Sequence, residues 1–134
     1  MVLDNRDTRF RFLLSLIRLS EVDPDATTNQ LAILLLISGF DGELTASDIA
    51  SFFHTKAPVI SRTLDIWGDH GAGGRKGRGY IEKRDVDGDR RMKTLHLTKK
   101  GQKYLSSIMG AISRDADDSV ELVTERLWES REGK

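Results

Sequence analysis

The residues of this 134-residue chain whose types and spacing could do chemistry gather between His54 and Lys103. Asp85, Asp87 and Asp89 alternate like the opening of a calcium loop. Such a loop needs Gly at its sixth position and Glu at its twelfth, where Arg90 and His96 stand. That leaves a charged turn with an Asp–Arg pair. His54, His70 and His96 have no metal-ligand spacing with one another or with nearby acids, which makes His96 a surface or satisfied histidine rather than a ligand. No serine has an adjacent histidine and acid to activate it as a nucleophile. Gly71 to Gly79, GAGGRKGRG, contains neither phosphate-cradling pattern, G-x-x-x-x-G-K-[ST] or G-x-G-x-x-G. The remaining enzyme class is a metal-dependent nuclease, because carboxylates stand beside a basic surface; magnesium-dependent cleavage of DNA is its test. The expectation is a non-enzyme with no metal and no cofactor.

What these residues offer is cationic surface. His54 to Lys103 holds thirteen Lys or Arg against six acids, an excess of seven positive charges, and the two ends carry the compensating seven negative ones. The formal net charge is +0 only because unlike regions cancel. Such segregation suits an anionic partner for the middle and another task for the ends. Two guanidiniums, Arg90 and Arg91, follow the Asp87-Gly88 turn signal; at an exposed tip they suit phosphate or groove contacts better than packing.

The elements that must position these groups are legible as patterns. Tyr80 to Leu97 reads as a half-buried hairpin, with Ile81, Lys83 and Asp85 alternating against their neighbours and Leu95 and Leu97 on the return. Before it, Thr45-x-x-Asp48 is a capping-box start for a short helix ending at His54-Thr55-Lys56. A second helix begins at Ala57-Pro58, with Ile60, Leu64 and Trp67 on one face and Ser61, Arg62 and Asp65 off it. Two short helices so arranged form a helix-turn-helix pattern. The glycine-rich stretch from Gly71 to Gly79 is expected to be a mobile arm following a nucleic-acid backbone.

The flanks are helical. Asp7 to Leu19 has Phe10, Leu13, Leu14 and Ile17 on one face and Phe12, Leu16 and Leu19 on another, as in a helix shared between subunits. Thr27 and Gln30 form a capping box opening the apolar run Leu31 to Ile37, read as a buried helix and far too short to span a bilayer. Glu43 to Thr45 is expected to add a very short strand. From Thr98, helical spacing runs almost to the C-terminus, and Gly110 or the acidic patch Asp115 to Asp118 could divide it. Its stripe is longer than the available core, so part of it, with Trp128, is expected to meet another chain. There is no cysteine, which excludes disulfides and thiol sensing, and no signal-peptide pattern, so a cytoplasmic protein that binds no membrane is expected.

Thr45 to Gly101 resembles the winged-helix domain of MarR-type transcription regulators. The carrying residues are LTASDIASFF, VISRTLDIW and GYIEKRDVDGDRRMKTLHLTKKG, and the order of the flanking helices extends the likeness over nearly the whole chain. The fold expected is α+β, mainly α: one winged-helix domain over 1–134, with N-terminal helices in 1–40, the DNA-binding part in 44–100 and C-terminal dimerisation helices in 101–134. The resemblance implies that the helix from Pro58 to Trp67 enters the major groove and the Arg90/Arg91 wing the adjacent minor groove. By that likeness Lys56, Ser61 and Arg62 face DNA and Asp89 orients a wing arginine. The DNA contacts expected in all are Thr55, Lys56, Pro58, Ser61, Arg62, Arg75, Lys76, Arg78, Lys83, Asp89, Arg90, Arg91 and Lys93, with phosphate contacts from Lys56, Lys83, Lys93 and the arm from Arg75 to Arg78. The resemblance also implies terminal helices that dimerise, and the dimer contacts expected there are Phe10, Leu14, Ile17, Ile108, Ile112, Val123, Leu127 and Trp128.

The chain departs from the family pattern by inserting Ala72 to Gly79 before the wing, and by placing Pro58 early in the recognition helix. It is also short for the family's phenolic-ligand pocket, and the sequence names no small-molecule effector. The partners expected are palindromic double-stranded DNA and a second copy, in a transcription regulator, most simply a repressor. The competing class is a winged-helix module that docks on a transcription or replication factor. A third is an architectural binder without sequence preference.

Overall fold

The computed structural model describes residues 6–69, 76–86, 88–110 and 116–132. Among them are six helices and one two-stranded sheet: α1 (Arg6–Val22), α2 (Thr28–Gly39), α3 (Ala46–Phe52), α4 (Ala57–Trp67), β1 (Ile81–Val86), β2 (Asp89–Leu97), α5 (Lys99–Met109) and α6 (Ala116–Glu132). The mainly helical α+β expectation holds. None of the helices is long and apolar enough to cross a membrane. Packing divides the chain into two compact units, residues 27–104 and residues 1–26 with 105–134, each described by itself.

Local chemistry sets the helix starts in the 27–104 unit. Thr27 accepts from the Gln30 N–H at 3.1 Å while Gln30 Oε1 accepts from the Thr27 N–H at 3.0 Å. Thr45 and Asp48 repeat the exchange at 3.2 and 2.9 Å. Each box satisfies two backbone groups that a helix start otherwise leaves open. Thr98 opens α5 by accepting from the Gly101 N–H at 3.0 Å, and its own hydroxyl donates to Gly79 O at 2.7 Å. Pro58 falls in the first turn of α4, where a missing N–H costs nothing.

The core of this unit joins Ile33, Leu34 and Ile37 of α2 to Ile49, to Ile60, Leu64 and Trp67 of α4, and to Ile81 and Leu95 of the hairpin. Trp67 is fully buried; its Nε1–H donates to Gln30 O at 2.8 Å, which removes the penalty of burying an indole N–H. Its ring lies 5.7 Å from both Tyr80 and Tyr104, which stack on each other at 4.3 Å.

The hairpin pairs Ile81 with Leu97, Lys83 with Leu95 and Asp85 with Lys93. Gly88 has φ +80°, the left-handed geometry that a tight turn asks of glycine; Asp87 lies outside the described residues. The expected strand at Glu43–Thr45 does not form. That segment makes isolated bonds instead: Gly42 N–H donates to Leu95 O, and Leu95 N–H to Leu44 O, both at 2.9 Å.

The second unit brings α1 and α6 together. Arg126 pairs with Glu21 at 3.2 Å, and Arg18 Nε–H donates to Ser107 Oγ at 3.1 Å. A groove of about 680 Å³ runs between these helices, lined in part by Leu14, Ile17, Leu122 and Arg126. The C-terminal helical stripe is divided: α5 ends at Met109, next to Gly110, and α6 starts at Ala116.

Candidate nucleic-acid interface

The exposed face of α4 follows from its buried one. Ile60, Thr63, Leu64 and Trp67 turn inward, so Pro58, Val59, Ser61 and Arg62 turn outward, with Lys56 exposed just ahead of them. Thr55 is half-buried in the turn between α3 and α4. That turn is tight: His54 has φ +53°, and Thr55 N–H closes onto Ala50 O at 3.0 Å.

On the hairpin, Lys83 and Lys93 are exposed, and each has a carboxylate neighbour. Lys83 Nζ lies 3.7 Å from Asp65 of α4, and Lys93 Nζ lies 3.5 Å from Asp85 across the ladder. Both pairs are solvated and worth little to stability, but they bias where the ammonium groups rest. Together with Thr45, Ser47, Leu64 and Met92 the two lysines line a cleft of about 410 Å³. Ser47, Asp65 and Asp85 are absent from the site read in the sequence. Only the pairing of β1 with β2 and the approach of α3 and α4 to the hairpin reveal them.

The wing differs from expectation in its backbone. Asp89, Arg90 and Arg91 are not a loop tip but the first residues of β2. The register passes from Asp85↔Lys93 directly to Val86↔Asp89, so Arg90, Arg91 and Met92 fall between paired positions. Bulges of this kind bend a strand and re-aim its residues.

The glycine-rich arm also needs correcting over its described part. Residues 76–79 are stitched to the end of α4: Arg78 N–H donates to Ile66 O at 2.8 Å, Gly79 N–H to Gly68 O at 2.9 Å, and Tyr80 N–H to Trp67 O at 2.7 Å. The last carbonyls of a helix have no partners within it, and this segment supplies donors for them. The approach is close enough that a Cβ on Gly77 would fall 1.9 Å from Gly68 O. Arg78 is consequently half-buried, whereas Lys76 is exposed; Arg75 and His70 lie outside the described residues.

No group of three or more metal-ligating side chains occurs among the described residues. His96 Nε2 lies 2.8 Å from Thr94 Oγ1, a satisfied histidine as expected.

In the other unit, Leu127 and Trp128 are exposed, Phe10, Leu14, Ile17 and Val123 are half-buried, and Ile112 lies outside the described residues. Ile108 is buried inside the chain and offers no surface to a second copy. The outward apolar residues of α1 are Phe12, Leu13, Leu16 and Val22.

No family model and no curated protein sequence matches the chain. Solved structures do. A Staphylococcus aureus MepR mutant superposes with a TM-score of 0.64 at 19% identity, over 93% of this chain and 81% of that one. A crystal structure of MarR gives a TM-score of 0.56 at 22% identity, over 95% and 90%. The transcriptional repressor CouR, bound to a 23-mer DNA duplex, gives 0.59 at 23% identity, over 96% and 81%. The fold is that of the MarR-type winged helix. In winged-helix terms, α3 and α4 are the helix-turn-helix and the β1–β2 hairpin is the wing.

Proposed function

We propose that this chain is a cytoplasmic, sequence-specific binder of double-stranded DNA that acts as a homodimer to regulate transcription, as a repressor. The observation that carries the reading is the outward face of α4. Its first two turns present Pro58, Ser61 and Arg62 with no acid in the first turn, and Lys56 precedes them. In helix-turn-helix proteins the beginning of the second helix is the part that reaches base edges. Arg62, with a planar fork of donors, suits guanine O6 and N7, and Ser61 can donate or accept beside it. Lys56, Lys76, Lys83 and Lys93 supply phosphate contacts, which set affinity and salt dependence without reading sequence. Asp89, Arg90 and Arg91 lie on the wing strand, and in this reading the wing enters the adjacent minor groove. Exposed Phe12, Leu16, Leu127 and Trp128 supply the apolar surface that a second copy would cover. The likeness to solved regulators, three of them bound to DNA, supports the same reading.

Selection of bound duplex from a random pool tests it, and a palindromic consensus is the expected result. Arg62→Ala should lose about 1–3 kcal/mol of binding and relax preference at one position of each half-site. No enrichment of any sequence, with uniform weak binding, would reduce the protein to an architectural binder.

A further inference from the structure

One exposed residue of α4 has no place in the account so far. Val59 is 52% exposed, on the same flank as Arg62 one turn further along the helix. A lone exposed valine is ordinary on a protein surface. This one is set apart by what surrounds it. Its N–H donates to Lys56 O at 3.1 Å, and its carbonyl accepts from the buried Thr63 hydroxyl at 3.4 Å, so its backbone is fixed from both sides. Its branched side chain has one strongly preferred rotamer in a helix. It is therefore a rigid pair of methyl groups, bordered by the cations of Lys56 and Arg62 and by exposed Pro58. Cations on either side draw a polyanion to this apolar spot, and the apolar group the major groove of DNA offers is the 5-methyl of thymine.

We infer that Val59 is a specificity-determining residue that packs on a thymine 5-methyl beside the base pair contacted by Arg62. The inference rests on the DNA-binding reading above and deepens it. Arg62 selects guanine, Val59 selects its pyrimidine neighbour by that neighbour's methyl group, and the recognised step contains a thymine next to a guanine.

Replacing thymine by uracil removes the methyl and leaves every hydrogen-bonding group in place. In the duplex enriched by selection, each thymine adjacent to a guanine is replaced in turn, and binding is measured for the full chain and for Val59→Ala. At one position the unaltered protein should lose about three- to tenfold in affinity. Val59→Ala should bind the thymine duplex with about the same loss and show no further loss with uracil. Val59→Ile, which keeps a branched apolar tip, should restore the preference. Because the side chain is half in solvent, the thermal melt of Val59→Ala should match that of the parent. Indifference of the unaltered protein to uracil at every position, or an equal uracil penalty in Val59→Ala, overturns the inference while leaving DNA binding intact. Absence of any duplex binding would remove the DNA-binding reading and this inference together.

Discussion

The two compact units differ in how much of their apolar surface they enclose. In residues 27–104 a large core is enclosed: Trp67, Leu34, Ile37, Ile49, Ile60, Leu64, Ile81 and Leu95 are all fully buried, the one indole N–H among them has its acceptor, and the large apolar residues left exposed are Phe40, Phe52, Val59 and Met92. In the unit built from α1 and the C-terminal helices, Phe12 is 58% exposed, Leu16 44%, and Leu127 and Trp128 each 52%. The first unit completes its core within one chain. The second exposes more large apolar surface than a solitary unit needs. The difference is the one the proposed function asks for, in which the first unit would read DNA and the second would meet a copy of itself.

The largest expected effect probes the finished core. Trp67→Ala should cost about 3–5 kcal/mol in urea-induced unfolding, because it opens a large cavity and removes the buried indole bond to Gln30 O. A cost below about 1 kcal/mol would mean that the 27–104 unit is held by something other than this cluster. Next comes the open face. Phe12→Glu with Leu16→Glu should weaken self-association by roughly a hundredfold or more in sedimentation experiments, since central apolar anchors commonly carry 2 kcal/mol or more each. The melt of the 27–104 unit should not move. A dimer that persists in this double variant would remove α1 from the interface. The smallest effect concerns the wing. Asp65→Asn releases Lys83 from its carboxylate neighbour and should tighten duplex binding about two- to threefold at low salt, a gain that disappears as salt rises. No change at low salt would mean that Lys83 does not meet phosphate.

The same contrast explains what the sequence discloses. Caps are local chemistry, so Thr27/Gln30 and Thr45/Asp48 can be read from spacing alone, and both boxes close as read. The α4 stripe and the Gly88 turn are equally local. Features that depend on a distant neighbour are not legible. Glu43–Thr45 has strand-like composition, yet Leu95 offers it only isolated bonds. Residues 76–79 look like free linker because glycine leaves no side-chain pattern; their partners are the carbonyls ending α4, which no spacing rule reveals. On α1 both faces are apolar, so periodicity cannot tell which is covered. Leu14 and Ile17 line a groove in their own chain, leaving Phe12, Leu13, Leu16 and Val22 outward. For the candidate site, the exposed face of α4 follows from its stripe. The carboxylates facing Lys83 and Lys93, and the bulge that displaces Arg90 to Met92, follow only from strand register.

The chain has two tryptophans, and they fall one to each unit. Trp67 is sealed among tyrosines, while Trp128 faces solvent with the Arg131 guanidinium 4.9 Å from its ring. An aqueous quencher such as iodide reaches the second indole and not the first, so the emission of one sample separates into two optical signals. Shielding of the accessible component would follow two chains coming together, and a red shift of the protected one would follow the melting of the 27–104 unit.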